Sequence, residues 1–495
     1  MVFTFVEVMK GVDISKYLNN HSSNANLKLP AYCTLMTILF AYADMGHPSL
    51  RDIEKRCKVD VRYLWLSQET TPSHQFFARF MNENLISSID NIFTDINKQL
   101  IELDDLDMTK LYVDGSKWEA YARKTSFVWK KAVLKYQEAL FKKITSLINR
   151  MNETMNTSTI TKAAYKASEL VAIIEYLNNY IVTCNIQMVY GRGHRKSQSQ
   201  KLLEKFTEFE EKLVEYEIHL KIMGDRNSYS KTDHDATFMN MKYDYYNKTG
   251  VFKPGYNIQA GTCDGYVVQI GIFSARADTV TLTEFIDSFN ASYGFYPEYV
   301  VADAGYGSTD NYIDMIDRGI GIAMKYSNFK NVNQNPSYLK KHPYSYLNFK
   351  SNEKGKIICP KGNEMDVLID ATIDKKGKYW KPRVHYTSSK CESCPYSKEC
   401  TKAKDGKRKY TYSPVDQELQ KEADRILLSE EGKEMRKQRS IQTEGFFGVL
   451  KEDQQFTRLW RRGKENVNLE VKLCATGFNI RKYYYKKLKE RQMSN

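Results

Sequence analysis

The chain has 495 residues and a mass of 57.7 kDa, more than one compact core accommodates, so two to four structural units are expected. Its 42% hydrophobic and 27% charged residues exclude a largely disordered chain. With 74 Lys+Arg against 60 Asp+Glu the net charge is +14 and the pI about 9.0, a sign that points to a polyanion such as nucleic acid or an anionic membrane surface.

In chain order, residues 1–104 read as a helical domain. Ala31–Ala43, the longest uncharged apolar stretch, is 13 residues, too short for a membrane span and suited to a buried helix. The first residues show no basic-then-apolar signal pattern, so an intracellular protein with no membrane partner is expected. Ser49-Leu50-Arg51-Asp52 has the form of a capping box opening a helix through Arg56, and Arg62–Leu66 is a third short segment. Thr71-Pro72 supplies an N-cap and a first-turn proline for a helix over His74–Asn82. Short helices at this spacing fit a helix-turn-helix-like DNA-binding unit or a small dimerisation bundle.

Leu111–Ser116 reads as a strand carrying Asp114-Gly115 at its end. Residues 128–225 read as a helical insertion. Val133, Tyr136, Leu140, Ile144, Leu147 and Met151 form one apolar stripe and Leu202 to Leu220 another, the seams of a helical hairpin with the basic loop Gly191–Lys196 between them. Strands follow at Tyr256–Gly261 and Tyr266–Phe273, joined by the turn signal Thr262-Cys263-Asp264-Gly265. Helices at 281–292 and 311–318 alternate with strands at 298–303 and 320–324. An α/β core with a mixed sheet is therefore expected over 105–127, 226–325 and 426–495, interrupted by a cysteine-bearing insertion at 326–425. Helices at 433–451 and 469–491 close the chain.

Two aspartates each close an apolar strand and precede small residues, in Asp114-Gly115-Ser116 and Asp303-Ala304-Gly305-Tyr306-Gly307. Ligands of open α/β sheets collect beyond the carboxyl ends of strands, so the two could meet at one edge. Each aspartate alone reads more readily as turn chemistry, which is common after a strand. A third carboxylate, Glu444, precedes Lys451 by two helical turns. Three hard oxygen ligands can hold two Mg²⁺ (or Mn²⁺) ions ~3.5–4 Å apart, the arrangement that activates the attacking oxygen and stabilises the leaving one in phosphoryl transfer. Asp233 and Asp235 are rival carboxylates that read as a turn cap, and Glu119 as a structural group.

These motifs carry a resemblance. Val113–Ala120, Ala302–Gly307, the Glu444 segment, Thr232–Met239, Lys253–Gln259, Arg461–Val467 and the stretch Ser49 to Phe80 resemble, in order and spacing, the bacterial insertion-sequence DDE transposases, in particular the 1182 family. The resemblance implies an RNase-H-like fold with Asp114, Asp303 and Glu444 as its catalytic, metal-binding triad. It also implies cutting of transposon ends and joining of the freed 3′-hydroxyl to target DNA. The partners implied are double-stranded DNA, as terminal inverted repeats and target, and a second copy in a synaptic dimer at the bacterial nucleoid. His234 stands where the family motif has proline. Ser440 takes the arginine place of the related tyrosine-arginine-glutamate-lysine signature, Arg439 lies one residue early, and Lys451 fits. A DNA-binding regulator with an idle core and a nuclease that never rejoins strands are the competing readings.

Residues 436–495 hold 15 Lys+Arg against 6 Asp+Glu, +9 of the total +14. Arg458, Trp460, Arg461, Arg462 and Lys464, with Lys451, suit phosphate contacts and stacking on a frayed end. Arg51, Lys55, Arg56, Arg62 and Arg79 are candidates for reading the DNA ends. The nine cysteines are odd in number and scattered, unlike a secreted disulfide framework. Cys359, Cys391, Cys394 and Cys400 can supply a four-sulfur structural Zn²⁺ site, and buried unligated thiols are the equal alternative.

Overall fold

The computed structural model of the protein describes residues 1–18, 29–191, 193–241, 250–353 and 355–494; Arg192 of the basic loop lies outside them. The chain divides into two units, Met1–Trp118 with Asn257–Asn495 and Glu119–Tyr256.

The first unit begins with α1 (Val2–Lys10), α2 (Ala31–Met45), α3 (Leu50–Val59), α4 (Val61–Leu66), α5 (His74–Phe80) and α6 (Ile89–Asp104) and continues into β1 (Lys110–Glu119). The run Thr34–Ala43 of α2 is buried throughout, as an apolar stretch without charges requires. The capping box of α3 forms: Ser49 Oγ accepts from Asp52 N at 3.2 Å, and Asp52 accepts from Ser49 N at 3.1 Å. At α5 the cap is Ser73, whose Oγ accepts from Phe76 N at 3.3 Å, rather than the expected Thr71. Pro72 therefore precedes the cap instead of occupying the first turn, and the helix passes at Met81–Leu85 into a π-turn.

The second unit holds β2 (Phe127–Trp129), α7 (Lys130–Met155), α8 (Ala167–Thr183), α9 (Gln198–Met223), β3 (Ser228–Ser230) and β4 (Thr237–Met241). The two expected seams are α7 and α9. A third helix, α8, lies between them in sequence, so the expected hairpin is a three-helix bundle around Leu140, Ile144, Leu170, Leu177, Phe206 and Leu213. Only four residues of α8 are fully buried, a stripe too thin to stand out in the sequence.

β5 (Val251–Cys263) is shared between the units. Residues 251–255 pair antiparallel with β4, and residues 257–263 pair antiparallel with β6 (Tyr266–Phe273). The turn is tighter than the sequence suggests, because Asp264 and Gly265 both take positive φ (47° and 75°), which lets two residues reverse the chain. α10 (Leu282–Tyr293), β7 (Tyr299–Ala302), α11 (Thr309–Asp317) and β8 (Gly321–Met324) follow. Within the first unit the strand order is β6-β5-β1-β7-β8, with β1, β7 and β8 mutually parallel. The mixed sheet with flanking helices is the expected α/β core. Leu111, Val113, Val300, Val301 and Ile322 on its strands pack with Phe285 and Phe289 of α10 and Met315 of α11.

The cysteine-bearing stretch contains α12 (Phe329–Asn333), α13 (Pro336–Lys341), β9 (Lys350–Ser351), β10 (Ile357–Ile358), β11 (Val367–Asp374), β12 (Lys381–Thr387), α14 (Ser397–Cys400) and β13 (Tyr410–Tyr412). Strands β11, β12 and β13 form a separate antiparallel sheet. The chain then returns to the core: α15 (Pro414–Leu427) buries Ala423, Ile426 and Leu427 in it. α16 (Glu430–Gly448) and α17 (Lys464–Ser494) end the fold, α17 packing on α2, α6 and β6.

Candidate active site

The parallel register of β1 and β7 pairs Tyr112 with Val301, and two residues further along each chain lie Asp114 and Asp303. Asp303 follows the end of β7, whereas β1 runs on to Glu119, so Asp114 sits within its strand instead of closing it as expected. One guanidinium faces both: Arg439 Nη2 of α16 lies 2.9 Å from Asp114 Oδ1 and 4.0 Å from Asp303 Oδ2. The Asp114 side chain is only 18% exposed, against 45% for Asp303. Burial pushes the Asp114 carboxyl above the usual aspartate value; Arg439 pulls it down, and the charge of Asp303 pushes it up again.

Beneath this pair lies a polar layer that the sequence did not reveal. Asn257 Nδ2 and Gln259 Nε2 of β5 donate to Asp278 Oδ1 at 2.7 and 2.9 Å, and the Tyr306 hydroxyl donates to Gln259 Oε1. Asp278, Asp114 and Asp303 all act on the buried Tyr306 hydroxyl, which burial pushes well above the usual tyrosine value. Asp278 is therefore a third carboxylate in the neighbourhood of the pair. Gly115 is needed here: a Cβ on it would lie 2.4 Å from Gln259 Nε2 and 2.7 Å from Asp278 Oδ1.

Glu444 is exposed on α16, and among the described residues no three His, Cys, Asp or Glu side chains stand in a metal-holding group. Helical phase accounts for the separation. Arg439 and Glu444 are five positions apart, about 140° around the helix, so when one faces the aspartates the other does not. Lys451 lies beyond α16 in a π-turn, Val449–Asp453, and reaches β1. Its Nζ donates to Ser116 Oγ at 2.6 Å and Lys117 O at 2.9 Å and sits 4.1 Å from the Trp118 ring centre. The buried Trp118 donates in turn to Phe456 O at 2.7 Å, tying the strand beyond Asp114 to the α16–α17 connection.

That connection carries the basic segment, held by a buried anchor. Glu470 of α17 accepts from Trp460 N at 3.0 Å and Arg461 N at 3.1 Å and lies 2.9 Å from His47 Nε2. The Trp460 ring is 51% exposed and lies 3.9 Å from that of His47. Arg458, Arg462 and Lys464 are exposed, Lys464 Nζ 3.8 Å from Glu284, while Arg461 donates to Asn82 Oδ1 at 2.8 Å. Among the N-terminal candidates Arg51, Lys55, Arg56 and Arg79 are exposed, and Arg56 meets Asp60 at 3.1 Å. Arg62 is gripped from two sides, by Asp44 at 2.7 Å and Asp60 at 2.8 Å. In the second unit Asp233 is buried and accepts from Tyr256 at 2.8 Å, and Glu119 pairs with Lys253 at 2.7 Å.

Cys359, Cys391, Cys394 and Cys400 line one cavity of the cysteine-bearing stretch. Burial pushes the Cys400 thiol above its ordinary value; Arg408 pulls it down, and the other three cysteines push it up.

Residues 358–484 match the family model described as Transposase DDE domain. The match supports a DDE transposase. The transposase-like stretch includes Glu444, Lys451, the basic segment and all four of these cysteines, and Asp114 and Asp303 precede it. No curated protein and no solved structure matches the chain. Among the described residues no helix is long and apolar enough to cross a membrane.

Proposed function

We propose that this chain is a bacterial insertion-sequence transposase of the 1182 family with an RNase-H-like core. In this reading it cuts transposon ends and joins the freed 3′-hydroxyl to target DNA, as a dimer that synapses two terminal inverted repeats. The strand order β6-β5-β1-β7-β8, with β5 antiparallel to β6 and three parallel strands beyond, supports the core. The observation that carries the reaction is the placement of Asp114, within β1, and Asp303, just past the end of the adjacent parallel β7, facing a single cation.

Mg²⁺ or Mn²⁺ fits this pair, because its hard carboxylate oxygens already converge on one positive charge and burial leaves the Asp114 charge under-solvated. When bound, the ions would supply a polarised attacking oxygen and a stabilised leaving oxygen. Asp114 and Asp303 would be the holding groups, with Glu444, exposed on α16, as the third carboxylate that the resemblance assigns. Lys451, Arg458, Arg461, Arg462 and Lys464 bind phosphates without reading sequence. Trp460 stacks on an unpaired base. Arg51 and Arg79 belong to end recognition, while Arg62, expected there too, is engaged by Asp44 and Asp60 and holds the helices together.

Cleavage of a labelled duplex taken from the DNA flanking the gene, in Mg²⁺, tests the reading. Asp303→Asn is expected to abolish nicking and keep duplex affinity; nicking at the wild-type rate would remove Asp303 from the site. The exposed position of Glu444 favours one second reading, an idle DNA-binding relic, established if the wild type binds the duplex and cuts in neither Mg²⁺ nor Mn²⁺. Joined products on a plasmid target separate transposition from plain hydrolysis.

A further inference from the structure

We propose that Cys359, Cys391, Cys394 and Cys400 bind one zinc ion as a four-thiolate structural site that staples the cysteine-bearing stretch. Three short backbone devices present the thiols. Cys359 opens a turn in which Gly362 N donates to Cys359 O at 2.9 Å, with Gly362 at φ +84°. Cys391 and Cys394 bracket a second turn, Cys394 N donating to Cys391 O at 3.2 Å. Cys400 ends α14, its N–H bonded to Tyr396 O at 2.9 Å. All four line the same cavity of about 30 Å³, room for an ion or one water and too little for an organic ligand.

Two further observations point the same way. Arg408 donates through Nη1 to Cys400 O at 3.2 Å, and its buried Nε has no hydrogen-bond partner, so an under-used positive group lies beside the thiols. The local core is also poor: Phe349, Ile357, Met365 and Tyr410 are its buried apolar residues, while Leu368, Ile369 and Ile373 of β11 are exposed. A sheet with so little apolar burial needs another source of stability, which a metal supplies on folding.

The charge balance is consistent. Four thiols lose four protons on binding Zn²⁺, leaving a complex of net charge −2, with Arg408 and Lys361 at the cavity wall to offset it. Thiolate is a soft ligand that selects zinc over the Mg²⁺ of phosphoryl transfer. As they stand, the sulfurs are not drawn into a metal-holding group. Zn–S bonds of about 2.3 Å require the four sulfurs to close together, and rotation about Cα–Cβ is one movement open to each Sγ.

The test uses the full-length protein purified without a metal-affinity tag. Elemental analysis is expected to give about one zinc per chain. Cobalt substitution is expected to give the thiolate charge-transfer and tetrahedral d–d absorption of a four-sulfur site. Titration with a thiol reagent should release the metal as about four thiols react. Cys394→Ser should lose the zinc, whereas Cys184→Ser, at an exposed cysteine elsewhere in the chain, should keep it. Absence of zinc from the wild type after reconstitution, equal zinc in Cys394→Ser and wild type, or recovery of the four residues as disulfides overturns the proposal. The cobalt spectrum and the thiol count need only the wild type, so they decide the matter even where Cys394→Ser fails to fold.

Discussion

Arg439 holds Asp114: its Nη2 lies 2.9 Å from Asp114 Oδ1, both side chains are largely buried, and the same nitrogen stands 4.0 Å from Asp303. If Asp114 and Asp303 hold a divalent cation as proposed, the guanidinium stands where that cation would bind. Removing it has two opposed consequences. Without metal, Arg439→Ala leaves the largely buried Asp114 carboxylate beside Asp303 without its ion-pair partner, at a cost of about 1–3 kcal/mol, and Tm in EDTA should fall. With metal, the competitor is gone, so Mg²⁺ should raise Tm more in Arg439→Ala than in the wild type and saturate at lower concentration. The charge of Arg439 also pulls the Asp114 carboxyl down against its burial. Its loss therefore moves the acid limb of the cleavage–pH profile upward. An unchanged Mg²⁺ midpoint would falsify the competition.

Gly115 sets the floor of the site. A methyl group there meets Gln259 Nε2 at 2.4 Å and Asp278 Oδ1 at 2.7 Å, both fixed by their own hydrogen bonds. Gly115→Ala is expected to destabilise by about 1–3 kcal/mol through overpacking and to displace Asp278 and the neighbouring Asp114. Cleavage should drop by about tenfold or more, since misplacements of an ångström are costly to phosphoryl transfer. Circular dichroism and a single-turnover cleavage assay check the two effects; full activity in a folded Gly115→Ala protein would show that the polar layer plays no part.

The pairing of Asp114 with Asp303 was readable because it rests on local pattern: apolar runs that must be strands, each followed by an acid and small residues. Asp278 was not. It stands in a one-turn 3₁₀ segment after β6, and its place is made by Asn257 and Gln259 reaching across from another strand. Arg439 is not legible either: its offset from Glu444 misses the signature place, yet helical phase turns it toward the aspartates. The Lys451 contacts depend on a π-turn that shifts the phase after Gly448, and nothing in the local composition announces it. Helix α8 escaped because its stripe is sparse.

The N-terminal helices are laced by exposed ion pairs with a definite pH dependence. Lys58 at 2.8 Å and the backbone and ring of His74 hold the Glu54 carboxyl down to about 2. A folded value below the ordinary 4.5 means that the stabilisation is complete above 4.5 and lost as pH falls toward 2. Glu54→Gln should therefore lower Tm at neutral pH, with a deficit that shrinks in acid and in high salt. Arg62→Ala, which frees Asp44 and Asp60, should likewise lower Tm. Arg51→Ala and Arg79→Ala, at exposed positions, should leave Tm alone and weaken binding to the transposon-end duplex. If Arg62→Ala weakened that binding as much as they do without losing stability, the ion pairs of Arg62 would not be its main role.

Glu470 separates building the basic segment from using it. Its carboxylate is 2% exposed and accepts two backbone N–H groups of that segment, from Trp460 and Arg461, besides facing His47. Glu470→Ala strands these donors in the interior, at a cost of about 3 kcal/mol, and releases the backbone that presents Arg458, Arg462 and Lys464. DNA affinity should fall together with Tm. Arg462→Ala removes a charge from the exposed side of the same segment. Its unfolding free energy should stay within about 0.5 kcal/mol of wild type, while affinity falls and the slope of log affinity against log salt drops by about one. Fluorescence anisotropy on one duplex at several salt concentrations, with thermal unfolding of the same samples, distinguishes the two variants. A Glu470→Ala protein that unfolds earlier yet binds DNA as tightly as wild type would mean that the segment does not need its anchor, or does not meet the DNA.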